Sequence, residues 1–163
     1  MREREAVPDY RCDKRFFLAL LAVVDIAYHG GHRPVPSRDI VARHHMTRRH
    51  LDVLLGQLVI SRILQSVRGP KGGYLLGRER RRICLLDIAH ALESSHAETK
   101  ATRLFCNAID RSPIVSDILL PLRQEWEERH ARMLSQLTID DICVRARDKG
   151  IAQESLSHLD WTI

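Results

Sequence analysis

Residues 64–78 read Leu-Gln-Ser-Val-Arg-Gly-Pro-Lys-Gly-Gly-Tyr-Leu-Leu-Gly-Arg, and no other stretch constrains the chain so tightly. Two short apolar runs, Ile63 to Val67 and Tyr74 to Leu76, flank Gly-Pro-Lys-Gly-Gly. That is the pattern of a β-hairpin with a tight turn. Gly72 and Gly73 read as positions of positive φ that also let a ligand approach the backbone closely. Arg68 and Lys71 place two cations at the tip. Taken alone, the segment fits an ordinary solvated hairpin as well as a basic finger aimed at a polyanion.

The residues before it decide what a basic finger would serve. Pro34 and Pro36 predict an extended connection, and Ser37 is the N-cap candidate of a short helix to about Arg43, with Asp39 suited to its positive end. His44-His45-Met46 reads as a turn. Thr47 then caps a second helix to about Ser61, with Leu51, Leu54, Leu55 and Leu58 at inward spacing. Arg48, Arg49, His50 and Asp52 fall on its first turn and a half. A support helix, a tight turn and a second helix with polar residues at its start form a helix-turn-helix, whose second helix enters the DNA major groove. Free amides at that helix start favour phosphate. Upstream, Asp13 caps a helix to about Tyr28 that presents Phe16, Phe17, Leu20, Leu21, Val24 and Ala27 as a broad core face, and His29-Gly30-Gly31 ends it.

Charge follows the same division. The net charge is +5, but residues 38–82 carry eleven Lys or Arg against three acidic side chains, whereas residues 83–163 carry nine against thirteen. The middle of the chain is the part suited to a polyanion. Arg80-Arg81-Arg82 reads as a solvated face, with phosphate contact as its other use. Met1 to Val7 alternates Arg and Glu with no apolar run behind it, so a signal peptide is not expected. No apolar run reaches the roughly 18 to 20 residues needed to span a bilayer, and a soluble cytoplasmic protein is expected. Cys12, Cys84, Cys106 and Cys143 are widely spaced and read as free thiols in a reducing compartment.

After the hairpin, Leu85 to Leu92 predicts a short helix with Leu85, Ile88, Ala89 and Leu92 inward. Residues 94–113, which hold His96 and Cys106, read as a long loop, and long internal loops are often functional. Ile114 to Leu137 predicts a helix of about six turns with Ile114, Ile118, Leu122, Trp126, Met133 and Leu137 as an apolar stripe. Pro121 kinks it or marks its true start. The stripe exceeds what a small winged domain can cover, and a second copy in a two-fold dimer is the economical partner, with burial in its own chain as the alternative. Thr138-Ile-Asp-Asp141 reads as a capping box opening a last helix to about Arg147. The expected organisation is a flexible arm over 1–12, a winged helix-turn-helix domain over 13–93, a sensor-type loop over 94–113, dimerisation helices over 114–148 and a loose tail over 149–163. The fold class is mostly α with a small β-hairpin wing.

Ser66-Val-Arg-Gly-Pro-Lys-Gly-Gly-Tyr-Leu-Leu-Gly77 resembles, nearly residue for residue, the signature of the Rrf-type winged-helix transcriptional regulators, the family of the IscR, NsrR and CymR type. Val24-Asp-Ile-Ala27, the helix-turn-helix from Ile40 to Leu58, and Leu137-Thr-Ile-Asp-Asp-Ile142 support the resemblance, which covers about Arg15 to Val144. It implies a homodimer on a palindromic operator, acting as a repressor. On this sequence, Arg38, Thr47, Arg48, Arg49, His50 and Asp52 would read or position the major groove. Arg68 would reach into the minor groove, and Lys71 with the amides of Gly72 and Gly73 would hold phosphate. Many members hold an iron-sulfur cluster through three cysteines in the loop before the long helix, and here that loop offers only Cys106. A cluster on Cys106 with His96 and a carboxylate or partner-subunit ligands is one reading. Oxidation of the Cys106 thiol is a second. A cluster-free regulator answering to a small molecule, or to a protein docking on the C-terminal half, is a third. An enzyme is not expected: no Ser/His/Asp or Cys/His pair falls in a recognisable motif, and no phosphate loop is present.

Overall fold

The computed structural model describes residues 14–93 and 113–152. Cys12, Asp13, His96 and Cys106 lie outside the described residues. The helix α1 (Lys14–His29) is the hub: it packs on α3 (Arg48–Ile60), α4 (Leu85–Glu93), the last helix α6 (Ile139–Asp148) and strand β2 (Gly73–Leu76). Its core face is Phe16, Ala19, Ala22, Val23 and Ile26, rotated from the expected one, and Phe17 is 56% exposed. The physical reason is size. Ala19 and Ala22 let neighbouring backbones come close to α1, while Leu20, Val24 and Ala27 fill the flanks as partly buried residues. Gly30 ends the helix, its amide donating to the Ile26 carbonyl at 2.9 Å.

The next element, α2 (Ser37–His44), corrects the expected cap. Pro36 is the N-cap residue, extended at φ −65° and ψ 140°, and Ser37 is the first helical residue with no side-chain cap. Pro36 presents its carbonyl to the Asp39 amide at 3.0 Å without needing a hydroxyl. His45 adopts the left-handed conformation at φ 51° and turns the chain into α3. Thr47 is the N-cap of α3, but its hydroxyl meets the His50 ring Nδ1 at 2.8 Å instead of a backbone amide. Leu51, Leu54, Leu55 and Leu58 are buried, as their spacing predicts. Arg62 at φ 57° closes α3: its amide donates to the Val59 carbonyl, and the Ile63 amide to that of Leu58 at 2.9 Å. That is a Schellman ending with arginine where glycine is usual.

The hairpin is antiparallel, β1 (Leu64–Val67) against β2, with Leu64 opposite Leu76 and Val67 opposite Gly73. Its turn differs from expectation. Positive φ belongs to Gly69, at 117°, whose carbonyl accepts from the Gly72 amide at 2.9 Å. Neither Gly72 nor Gly73 has positive φ. Both are needed because the backbone is crowded there: a Cβ on Gly72 would collide with the Val67 carbonyl, and one on Gly73 with that of Val35. Val35, on the extended connection, exchanges two 2.9 Å backbone hydrogen bonds with Tyr74 and so ties the wing to the start of α2.

A 3-10 turn (Arg80–Arg82) leads into α4, which buries Leu85, Ile88, Ala89 and Leu92. In the long helix, a widened π turn (Val115–Leu119) precedes the regular helix α5 (Leu120–Gln136). The Leu120 amide reaches back to the Val115 carbonyl, so the wide turn makes room for Pro121 at the true start of the regular helix. The capping box is formed: the Asp141 amide donates to the Thr138 hydroxyl at 3.2 Å and the Thr138 amide to the Asp141 carboxylate at 2.8 Å. Where α5 passes into α6, the Leu85 amide donates to the Leu137 carbonyl and the Ile139 amide to that of Ile83, both at 2.9 Å. The long helix is thereby stitched to the segment that follows the wing.

Candidate nucleic-acid interface

Asp25 sets the geometry of the helix-turn-helix. Its carboxylate is buried on α1 and accepts from Arg43 Nε at 2.9 Å and Nη2 at 2.6 Å, with His44 Nε2 at 2.7 Å and His29 Nε2 at 3.9 Å. A two-pronged guanidinium grip fixes direction as well as distance. The end of α2 is therefore clamped to the hub helix just before the turn that aims α3. Burial by itself pushes the Asp25 carboxyl up, but the hydrogen bonds from Arg43 and His44 and the charges of Arg43 and His29 outweigh it and hold the group below the ordinary carboxylate range. The sequence places this residue only within the Val24-Asp-Ile-Ala27 match and gives it no partner. The available signal was a carboxylate among core positions, which demands a partner.

With α3 aimed this way, Thr47, Arg48, Arg49, His50 and Asp52 are all exposed on the N-terminal turns. Arg48 Nε lies 3.7 Å from Asp52 Oδ2 along one helix face. Arg68 and Lys71 are exposed on the wing. The two parts meet around a cleft of about 540 Å³, lined among others by Ser37, Arg38, Arg48, Arg68, Gly72 and Tyr74. Arg38 is 75% exposed at its side chain and approaches Asp39 at 3.4 Å. The structure thus brings Arg38, Arg48 and Arg68 to one opening, although they come from α2, α3 and the hairpin. Lys71, Arg49, His50 and Asp52 do not line that cleft and face outward beside it. Exposed guanidinium groups around a shared concavity can hold the phosphates of a nucleic-acid strand, and a projecting helix start can enter a groove.

The Arg80-Arg81-Arg82 run is largely committed elsewhere. Arg80 and Arg81 both pair with Asp140 at the start of α6, the second at 3.1 Å, and Arg78 pairs with Asp87 at 3.0 Å. These arginines join the base of the wing to the helices behind it.

The described cysteines are not poised for redox or metal chemistry. Burial pushes the thiols of Cys84 and Cys143 up, and Cys84 donates to the Asp87 carboxylate at 3.2 Å. Among the described residues no group of three or more His, Cys, Asp or Glu side chains could hold a metal ion. Among those residues, too, no helix is long and apolar enough to cross a membrane.

A support helix, a projecting second helix and a basic hairpin define a winged helix-turn-helix protein of the DNA-binding regulator class. Residues 12–145 match the family described as Rrf2, iron-dependent transcriptional regulator, and the chain belongs to that family. Over 125 residues it is 30% identical to the HTH-type transcriptional regulator IscR of Xenorhabdus nematophila, which covers 76% of this chain and 73% of the relative. The solved structure of T. potens IscR superposes with a TM-score of 0.63 at 26% identity, covering 89% of this chain and 94% of that one. CymR, the global cysteine regulator of B. subtilis, has the same fold, with a TM-score of 0.60 at 23% identity over 83% of this chain and 97% of that one. The chain is accordingly an IscR-like, DNA-binding transcriptional regulator and not an enzyme.

Proposed function

We propose that the protein is a cytoplasmic repressor that binds a palindromic operator as a homodimer. The observation that carries the reading is the cleft at which Arg38, Arg48 and Arg68 converge from three separate elements. In this reading α3 lies in the major groove, with Thr47, Arg48, Arg49, His50 and Asp52 reading or positioning it. Asp52 accepts from cytosine or excludes wrong bases, Arg68 enters the adjacent minor groove, and Lys71 with the Gly72 and Gly73 amides holds phosphate. Residues 13–93 form the DNA-binding domain and 114–148 the dimerisation helices.

The dimer is supported by α5 and the turn before it. Ile114, Ile118, Leu122, Trp126 and Met133 recur at helical spacing and are between 39% and 63% exposed in the isolated chain. A two-fold axis along this face would bury the stripe of one protomer against that of the other.

The signal enters, in this reading, through the 94–113 loop. The family's description as iron-dependent supports iron, as an iron-sulfur cluster on Cys106 and His96, as the signal; both residues lie outside the described ones. A cluster-free regulator governed by a small molecule or a partner protein is the alternative.

Selection of duplexes from a random pool by the full chain tests the proposal. The expected product is one enriched motif with two-fold symmetry, bound by a dimer in sedimentation at micromolar protein. Recovery of unrelated duplexes bound with equal affinity would sink it.

A further inference from the structure

The face of α3 that points away from the core is not wholly polar. Leu51, Leu54, Leu55 and Leu58 mark the core side. At about 100° per residue, the opposite side carries Arg49, Val53, Gly56 and Ile60. Val53 is 56% exposed. It lies one turn beyond Arg49, roughly 6 Å farther along the helix axis, and directly follows Asp52. One further turn on, Gly56 is also exposed, and a Cβ there would meet nothing within 4 Å.

The major groove offers one apolar group to such a side chain, the C5-methyl of thymine; cytosine carries only hydrogen at that position. We infer that Val53 is a specificity-determining residue that packs against a thymine methyl in each half-site. This rests on the operator-binding reading above and goes further in assigning a base feature to a residue outside the set expected to touch DNA. The polar residues around it, Arg49 and Asp52, read hydrogen-bonding edges, whereas Val53 reads shape and hydrophobicity at the neighbouring pair. Burying one methyl group contributes enough to change affinity by about fourfold, or about fifteenfold when both half-sites of a symmetric operator lose it.

The test uses the full chain and the duplex enriched from the random pool. Each thymine in turn is replaced by deoxyuridine, which removes the methyl and leaves base pairing intact. The native protein should lose about fourfold affinity at one thymine per half-site. Val53→Ala should bind the thymine and deoxyuridine duplexes equally, and Val53→Thr, which keeps the branched shape and one γ-methyl, should retain part of the preference should the alanine variant misfold. Ile60→Ala, changed about 10 Å along the helix from Val53, should respond to deoxyuridine as the native chain does. The inference is overturned if no replacement weakens the native protein, or if the methyl effect persists unchanged in Val53→Ala. Failure of the pool to yield any preferred duplex would overturn the operator-binding reading itself, a different result from a preferred duplex indifferent to its methyl groups.

Discussion

The winged-helix part and the long helix behind it solve the folding problem differently. The first, with α6 packed on its hub helix, has its apolar side covered. Its leucines pack inside, its buried carboxylate Asp25 is gripped by Arg43 and His44, and its hairpin is pinned by the Val35–Tyr74 bridge. What it leaves outside is mainly charge. The long helix is the reverse: of its residues from Leu120 to Gln136 only Leu134 is buried, while Trp126 stays 63% exposed and Met133 52%. Water tolerates the first surface, and the second is costly until covered. The two surfaces therefore want different partners, a polyanion for one and an apolar face for the other.

The largest effect is expected at Asp25. Asp25→Ala takes from the partly buried Arg43 and His44 the buried carboxylate they share, which should cost about 3 to 5 kcal/mol in urea unfolding. A loss under about 1 kcal/mol would mean the clamp does not hold the helix-turn-helix. The same group sets an acid dependence. Its folded-state carboxyl titrates below the unfolded value, so its contribution is present above the unfolded pKa and is lost as pH falls through the folded one. Unfolding stability should therefore decline below about pH 4, and Asp25→Asn should flatten part of that decline. At the opposite surface, Trp126→Asp should weaken self-association by about thirtyfold or more in sedimentation while the melting of the winged part barely changes. Equal damage to both would erase the proposed division of labour.

Smaller effects are expected within the winged part. Gly73→Ala forces a methyl onto the Val35 carbonyl and should cost about 1 to 3 kcal/mol, read by thermal melting, since the wing and the start of α2 must separate to admit it. Arg62→Gly should have the opposite sign. Arginine at φ 57° carries a strain of about 1 kcal/mol that glycine does not, so the variant should be more stable by about that much. The last helix ends with the same hydrogen-bond pattern on Gly150 at φ 69°, which supplies the internal reference.

Much of this was legible in the residues because it is local. The hairpin, the boundaries of α3, the Thr138 capping box and the exposed stripe from Ile114 to Met133 each follow from patterns spanning a few residues, whereas Leu137, expected in that stripe, packs against the core. The errors came where distant backbone decides. Gly72 and Gly73 look like turn glycines, yet they are fixed by carbonyls of Val67 and Val35, and positive φ falls on Gly69. The core face of α1 turned because several elements surround it, so small residues at Ala19 and Ala22 won over the bulky flank. That Asp25 needs a partner is legible, but which one is not, because Arg43 and His44 reach it only by folding back onto α1. Val53 was obscured by the inward leucines and showed itself only through its exposure. His96 and Cys106 lie outside the described residues, and their sensing role stands as a proposal.

If DNA is held where α3 and the wing converge, its affinity must depend on the arginines that meet there. The decisive measurement is affinity for the enriched duplex from 50 to 200 mM salt, with the native chain and with Arg48→Ala, Arg68→Ala and both together. The logarithm of the association constant should fall linearly with that of salt, and each substitution should make the slope shallower by about 0.9 for every phosphate the protein no longer neutralises. Arg68→Ala should also relax sequence preference beside the half-site. Unchanged affinity and slope in the double variant, with the fold intact, would contradict the placement of DNA at this cleft.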